Sequence, residues 1–124
     1  MLHPQPKPRP HVFDKRDHAR EKLTHLRRVY LAVDVRDQRR CRCCGRKEQL
    51  HRHHLTFRSK GGGDCSENLV TLCTGCHGLL HARQLWIFGK NADARLTFEI
   101  DERAVLDVFG AKPVPRDVRI VRAK

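Results

Sequence analysis

The chain has 124 residues and a formal net charge of +12, with 26 Lys and Arg against 14 Asp and Glu. That length predicts one small domain, which buries little apolar surface and benefits from a metal cross-link. The positive charge favours a polyanionic partner, and the lack of a run of about 18 apolar residues predicts no membrane span.

The N-terminal residues predict a disordered, basic, proline-rich arm over residues 1–13. Proline occupies alternate positions there, which forbids helix and sheet pairing, at Pro4, Pro6, Pro8 and Pro10. Lys7 and Arg9 between them could contact nucleic acid, and a solvated tail is an equally good interpretation.

Residues 15–37 have the pattern of a helix. Asp14 and Asp17 stand near its predicted start, where carboxylates stabilise the positive end of the helix dipole. Apolar residues then recur at helical spacing, at Leu23, Leu26, Tyr30 and Val33. A strand over 29–35 is the competing interpretation, because apolar residues also alternate there, but the longer continuous pattern favours helix. Its arginines are expected on the wet face, either simply solvated or extending a track for a polyanion: Arg16, Arg20, Arg27 and Arg28.

Two C-x-x-C pairs predict a structural zinc site made of four thiolates. The pairs are Cys41 with Cys44 and Cys73 with Cys76. A two-residue spacer directs both sulfurs to one point, and two such pairs complete a closed tetrahedron. Disulfides or plain buried thiols are the alternative; the polar flanks and the lack of a secretory signal favour zinc and a reducing, cytoplasmic (intracellular) compartment. Cys43 could replace Cys44 in a shifted register, although Cys43 and Cys65 are more simply spare small side chains.

Four histidines in the same segment predict a second metal site of different chemistry. His53 and His54 are adjacent on a predicted strand, so one can face a metal while the other faces a substrate. His77 and His81 are spaced i, i+4 and share one face of a predicted helix. Two imidazoles from a helix and one from a strand give a three-nitrogen site with open positions, which is how catalytic metals are held. An inert histidine-rich zinc ribbon is the alternative.

The remaining pattern predicts short elements within one domain over residues 14–110, with its core at 41–82. A strand, a loop, a second strand and a helix are expected at residues 49–55, 56–66, 69–72 and 74–82. A β-hairpin with strands at 85–88 and 96–100 and a short helix at 101–109 follow. Residues 111–124 are expected to form a basic C-terminal tail, in which a short strand is left open. Trp86 and Phe88 are expected to pack in or against the core, with a base-stacking platform as the less favoured alternative.

This segment resembles the HNH endonuclease family, whose fold is the ββα-metal motif. The resemblance covers roughly residues 34–82. It rests on Arg36-Asp37, His53-His54, the glycine run 61–63, Glu67-Asn68-Leu69, and Leu72-Cys73-x-x-Cys76-His77 with His81. It implies the α+β class: a small zinc-stapled ββα-metal (HNH) domain with an N-terminal helix and a C-terminal β-hairpin.

The resemblance also implies a role for each matching residue. His54 takes the place of the general base, and Asn68 that of the asparagine that braces the loop and fixes the base. His77 takes the place of the last histidine, a metal ligand. His53 stands where many members have an aspartate ligand, and His81 matches a third ligand found in one branch. The all-nitrogen set favours transition metals over Mg²⁺.

The implied function is a metal-dependent endonuclease that hydrolyses DNA phosphodiester bonds and leaves 5′-phosphate and 3′-hydroxyl ends. Its cofactors would be the structural Zn²⁺ and one catalytic divalent cation, Mg²⁺, Mn²⁺, Ni²⁺ or Zn²⁺. The expected partner is DNA, in double-stranded form. A phage terminase or another targeting partner is left open, because small stand-alone members of the family include phage proteins and others in mobile elements or host defence. Arg58 and Lys60 could hold phosphate or be plain loop charges. The alternative is a non-catalytic zinc module that binds nucleic acid or another protein.

Overall fold

The computed structural model describes residues 15–122, so the arm predicted for residues 1–13 lies outside the described residues. Its three helices are α1 (Lys15–Arg36), α2 (Thr74–His81) and α3 (Val105–Phe109). Its five strands are β1 (Leu50–His54), β2 (Leu69–Cys73), β3 (Leu85–Phe88), β4 (Thr97–Asp101) and β5 (Val118–Val121). Short 3₁₀ turns occupy Arg58–Lys60, Ser66–Asn68 and Glu102–Ala104. The predicted α+β class, with its N-terminal helix and its C-terminal hairpin, is confirmed.

The N-terminal segment is a helix rather than the strand that its local alternation allowed. Val29 and Val33 are its buried residues, and they form a small apolar cluster with Leu69 of β2. Leu31 and Val35, which alternate with them in sequence, are 57% and 71% exposed. Burial therefore follows the helical period of i, i+4, because a strand would have placed all four side chains on one face.

A buried carboxylate attaches α1 to the rest of the domain. The Asp37 side chain is fully buried, and it accepts hydrogen bonds from Arg36 Nε at 2.8 Å and Arg42 Nη1 at 3.2 Å. It also accepts one from the backbone N–H of Thr71 in β2 at 3.1 Å. Arg36 in turn donates to the carbonyl groups of Ser66 and Leu69. These contacts explain what the Arg36-Asp37 pair does: it joins the end of α1 to β2.

The first sheet is an antiparallel hairpin that leads directly into a helix. β1 pairs with β2 in a register that places His53 opposite Val70 and His54 opposite Leu69. All five residues of β2 are buried. Cys73 ends β2 and begins α2, with its Sγ accepting a hydrogen bond from Cys76 N at 3.4 Å. The hairpin and α2 together make a ββα unit whose histidines meet where β1 faces the helix.

The second sheet extends the predicted hairpin by one strand. β3 pairs antiparallel with β4, and β5 lies parallel to β4 on its other side. The parallel arrangement is possible because α3 provides the crossover between them. Phe98 and Ile100 of β4 pack in the same core as Val70 and Leu72 of β2, so the two sheets share one apolar centre. Within residues 15–122, no helix is both long and apolar enough to cross a membrane.

Candidate metal sites and catalytic cleft

Four thiols converge at the junction of the two C-x-x-C pairs. The Sγ atoms of Cys41, Cys44, Cys73 and Cys76 all lie within 4.8 Å of one another, and those of Cys44 and Cys73 are 3.6 Å apart. In a tetrahedral site with Zn–S bonds of about 2.3 Å, the sulfurs stand about 3.8 Å from each other. All six cysteines are free, so this donor set fits Zn²⁺ and not a pair of disulfides. Cys44, not Cys43, occupies the fourth position.

The electrostatics of the thiol cluster also favour a cation. Hydrogen bonds from the Cys44 and Cys76 thiols lower the pKa of Cys41 to about 2. The same contact with Cys41 raises the pKa of Cys44 to about 12 and is the first cause that raises the pKa of Cys76. Cys41 therefore ionises readily, while its neighbours stay protonated as hydrogen-bond donors to it; further thiolates in so small a volume would repel it. A zinc ion would remove that repulsion.

Three histidines form a second cluster within the ββα unit. The ligand nitrogens of His53, His77 and His81 all lie within 4.8 Å of one another. The Nε2 atoms of His77 and His81 are 3.1 Å apart, close to the separation of about 3.4 Å between two nitrogens on a tetrahedral zinc ion. The donor set fits a divalent transition metal with open coordination positions.

The environment of His53 and His77 favours the neutral form of the imidazole, which is the form that binds metals. Burial lowers the pKa of His53 to about 4, and the neighbouring His77 and His81 add to the effect. Burial is also the first cause of the lowered pKa of His77, followed by the charges of His81 and His51. His51 stacks on His77 with ring centroids 5.6 Å apart, but its Nε2 lies 2.8 Å from Thr74 Oγ1, outside the cluster.

His54 follows His53 at the end of β1 and has an acidic partner. Its Nε2 is 2.8 Å from Oδ1 of Asp64. Arg58 donates to the same oxygen from Nε at 3.1 Å and from Nη2 at 2.9 Å. The hydrogen bond with His54, and then those with Arg58, lower the pKa of Asp64. The carboxylate therefore stays ionised and holds the ring of His54 in one orientation.

Asn68 braces the loop that carries this partner. Its Oδ1 accepts from the backbone N–H of Thr56 at 2.7 Å, and its Nδ2 donates to the carbonyl groups of Thr56 and Gly63 at 3.0 and 2.9 Å. The loop passes so close to itself that a Cβ on Gly62 would lie 1.8 Å from the Thr56 carbonyl oxygen. Glycine is therefore required at position 62, and the loop has one closely packed shape.

His54 and the cluster of His53, His77 and His81 line one cleft of about 580 Å³. Tyr30, Arg52, His53, His54, Phe57, Arg58, Ser59, His77 and His81 line it. Arg52 donates from Nη2 to both carboxylate oxygens of Asp34 at 3.0 Å and lies over the Tyr30 ring at 4.4 Å. Arg58 lies at the cleft, whereas Lys60 is exposed on the adjoining 3₁₀ turn and is not part of the lining.

The structure adds one residue that the sequence did not indicate. Asp64 lies ten positions from His54 along the chain, in a glycine-rich loop with no periodic pattern. No spacing rule links two residues across such a loop, so only the folded geometry reveals the pair. The spacing of residues predicted that His53, His77 and His81 lie close together, and they do. Their assignment as ligands of a catalytic metal stays a prediction.

An antiparallel hairpin followed by a helix, with one cluster of cysteines and one of histidines, defines a ββα module in which two groups of side chains could each hold a metal ion. Residues 41–83, less than half of the chain, match the family model described as HNH endonuclease. This match confirms the resemblance and supports a nuclease-family assignment for that segment. No curated protein and no solved structure gives a significant match to the chain.

Proposed function

We propose that the protein is a metal-dependent HNH endonuclease that hydrolyses phosphodiester bonds of DNA. The observation that carries the proposal is the pairing of His54 with Asp64 in the same cleft as the His53, His77 and His81 cluster. A module that only binds zinc or nucleic acid needs neither an oriented imidazole nor a second, open metal-binding group.

Hydrolysis requires a group that takes a proton from the attacking water, and we assign this role to His54. A carboxylate only accepts hydrogen bonds, so Nε2 of His54 carries the proton that it shares with Asp64. The free lone pair is then on Nδ1, which can accept the proton of a water molecule. Asp64 also stabilises the imidazolium that forms, because its negative charge lies 2.8 Å away. Histidine is the side chain most often used for proton transfer in catalysis.

The second catalytic requirement is stabilisation of the negative charge that develops on the phosphate and on the leaving oxygen. A divalent cation held by His53, His77 and His81 would supply this as a Lewis acid. Burial keeps His53 and His77 unprotonated, so both offer lone pairs without a competing proton.

We assign Asn68 a positioning role. Its three hydrogen bonds to the backbone of Thr56 and Gly63 fix both ends of the loop between β1 and Asp64. Because Asp64 follows Gly63 directly, Asn68 also fixes the distance between Asp64 and His54. Loss of Asn68 would therefore displace the base without removing it.

The charge of the chain supports DNA as the substrate. The formal net charge is +12, and Arg52 and Arg58 lie at the cleft beside the histidines. Arg58 uses Nε and Nη2 to hold Asp64, so its remaining amino group, Nη1, is the part that can reach a phosphate. With Lys60 nearby, we propose contacts with double-stranded DNA, 5′-phosphate and 3′-hydroxyl products, and an intracellular location in keeping with the free cysteines. A phage terminase or another targeting partner stays a proposal from the family alone.

A plasmid-nicking assay tests the proposal. Zinc-loaded protein is incubated with supercoiled DNA and, in turn, Mg²⁺, Mn²⁺, Ni²⁺ or added Zn²⁺. His54→Ala should lower the nicking rate by at least about 100-fold, the low end of general-base catalysis. The matched control is His25→Ala, an exposed histidine of α1 away from the cleft, which should nick like the wild type. Equal rates for the wild type and His54→Ala in every metal would sink the proposal and leave a non-catalytic zinc module.

A further inference from the structure

The open face of the second sheet carries exposed aromatic side chains beside the cleft. Along β3, Leu85 is fully buried and Ile87 packs against the core, whereas Trp86 is half-buried and Phe88 is 48% exposed. Trp86 pairs with Glu99 of β4 and Phe88 with Thr97, so both rings belong to the side of the sheet that faces away from the core. The expectation that they pack in or against the core is therefore met only in part.

This aromatic face is continuous with the histidine cluster. A cavity of about 440 Å³ separates β3 from the ββα unit, and its lining includes His53, His81, Phe57, Trp86 and Phe88. Phe57 is 49% exposed and meets His53 edge-on, with ring centroids 6.1 Å apart. A ligand that fills this cavity would therefore contact the aromatic rings and two residues of the candidate metal site.

A second cavity, of about 520 Å³, continues from the same rings across the sheet. It shares Arg83, Trp86 and Phe88 with the first cavity and adds Arg103 and Arg122. We call these six side chains the aromatic–arginine surface: Phe57, Arg83, Trp86, Phe88, Arg103 and Arg122. It runs from the histidine cluster to the end of β5.

The charge of this surface is positive and mostly unpaired. Asp101 is 2% exposed and its carboxylate is held by Arg103 at 2.8 Å. Glu99 also lines the second cavity, so its three arginines and two carboxylates leave a net charge of +1. Across the described part of the chain, no ion pair engages Arg83 or Arg122. Two arginines thus stand beside aromatic rings with their charge available to an anion.

We propose that the aromatic–arginine surface binds unpaired nucleotides of the DNA strand whose phosphate enters the cleft. Aromatic rings between arginines suit single strands, because bases stack on the rings while the phosphates meet the guanidinium groups. The faces of bases inside a duplex are already stacked and cannot reach the rings. This inference rests on the proposed nuclease function and narrows its substrate to DNA that is unpaired next to the bond being cut, such as a flap or a bubble within a duplex.

The only tryptophan of the chain provides a direct readout, because Trp86 belongs to the surface. Zinc-loaded, full-length His54→Ala protein is titrated with a ten-nucleotide oligothymidine and, separately, with a blunt duplex of the same length. The single strand should quench Trp86 fluorescence and bind more tightly than the duplex. The proposal would be overturned if the single strand caused no quenching and bound no more tightly than the duplex. Binding of a protein to the same surface would not rescue it.

A ring-specific variant strengthens the test. Phe88→Leu keeps an apolar side chain at the partly exposed end of β3 but removes the ring, so the fold should be preserved. We expect it to weaken single-strand binding by about fivefold or more, the low end for loss of one stacking contact. The matched control is Leu106→Ala, since Leu106 is 77% exposed on α3 and lies outside both cavities. Equal losses in Phe88→Leu and Leu106→Ala would contradict a stacking role.

The two proposals fail in different ways. Quenching by the single strand in a protein that never nicks DNA would leave the binding surface in place and reject the nuclease. The wild type could instead nick DNA efficiently but show no quenching and no preference for a duplex with a flap over a blunt duplex. That result would support the nuclease proposal and reject the proposed binding surface.

Discussion

Nε2 of His54 lies 2.8 Å from Oδ1 of Asp64, although the two residues are ten positions apart and belong to a strand and a loop. Arg58 holds the same carboxylate oxygen, so Asp64 cannot turn away without breaking three hydrogen bonds. The pair favours the tautomer of His54 that has its proton on Nε2, and it leaves the lone pair on Nδ1. The proposed role of His54 as the base depends on that arrangement.

Replacing Asp64 by Asn should lower the single-turnover nicking rate by about tenfold or more, with little change in DNA affinity. The amide is neutral and can donate as well as accept, so it neither fixes the tautomer nor stabilises the imidazolium. General acid–base catalysis contributes about 10²–10⁴ in rate, and the loss of Asp64 should remove part of that factor. Asp64→Glu should retain more activity, and nitrogen NMR of His54 should show a mixed tautomer only in Asp64→Asn. Asp107→Asn, on an exposed face of α3, is the control. An unchanged rate and tautomer in Asp64→Asn would show that the pair has no catalytic role.

Removing one ligand of the thiol cluster should unfold the domain. Cys73→Ser loses a zinc thiolate and also the sulfur that caps α2. Structural zinc contributes about 10–16 kcal/mol in small domains, which exceeds or matches the whole stability of about 5–15 kcal/mol of a typical domain. We expect no cooperative melting by circular dichroism and the loss of one zinc equivalent by elemental analysis. Cys65→Ser, outside the cluster, should keep the metal and the melting temperature; a stable Cys73→Ser protein would mean that zinc does not hold the fold.

The histidine cluster should bind its metal independently of the thiol cluster. His81→Ala removes a ligand from an exposed position near the end of α2, so the fold should survive. Loss of a residue that only supports a ligand costs about 10–100-fold in metal affinity, and loss of a ligand should cost no less. Calorimetric titration of zinc-loaded protein with Mn²⁺ or Ni²⁺ measures this, with His25→Ala as the control. Two equal titrations would place the second metal elsewhere.

The buried Asp37 should matter more to stability than a partly exposed aspartate that makes a similar ion pair. Asp37→Ala leaves Arg36 and Arg42, 18% and 19% exposed, without their common partner, and breaking a buried pair in this way costs about 3–5 kcal/mol. Asp34 pairs with Arg52 at a more exposed position, so Asp34→Ala should cost about 1 kcal/mol or less. Urea denaturation of the zinc-loaded variants measures both. Similar free energies of unfolding would mean that Asp37 is not the attachment point of α1.

The local spacing of residues was enough to predict the metal-ligand side chains and most of the helices and strands. The C-x-x-C pairs, the i, i+4 histidines and the adjacent His53 and His54 lie within single turns, helices or strands, whose geometry fixes where neighbouring side chains point. The same reasoning predicted α1, the ββα unit and the C-terminal hairpin. It favoured Cys44 over Cys43 but left a shifted register open, because the two cysteines are neighbours in one turn.

Only the tertiary structure decided which distant residues meet. The pairing of His54 with Asp64, the attachment of α1 through Asp37, the third strand beside the hairpin and the position of Trp86 and Phe88 next to the histidines all depend on contacts across loops. Loop closure is governed by packing of the whole core, here Val70 and Leu72 against Phe98 and Ile100, and no short sequence period records it. The sequence therefore determined the donor groups, and the packed fold determined what stands beside them.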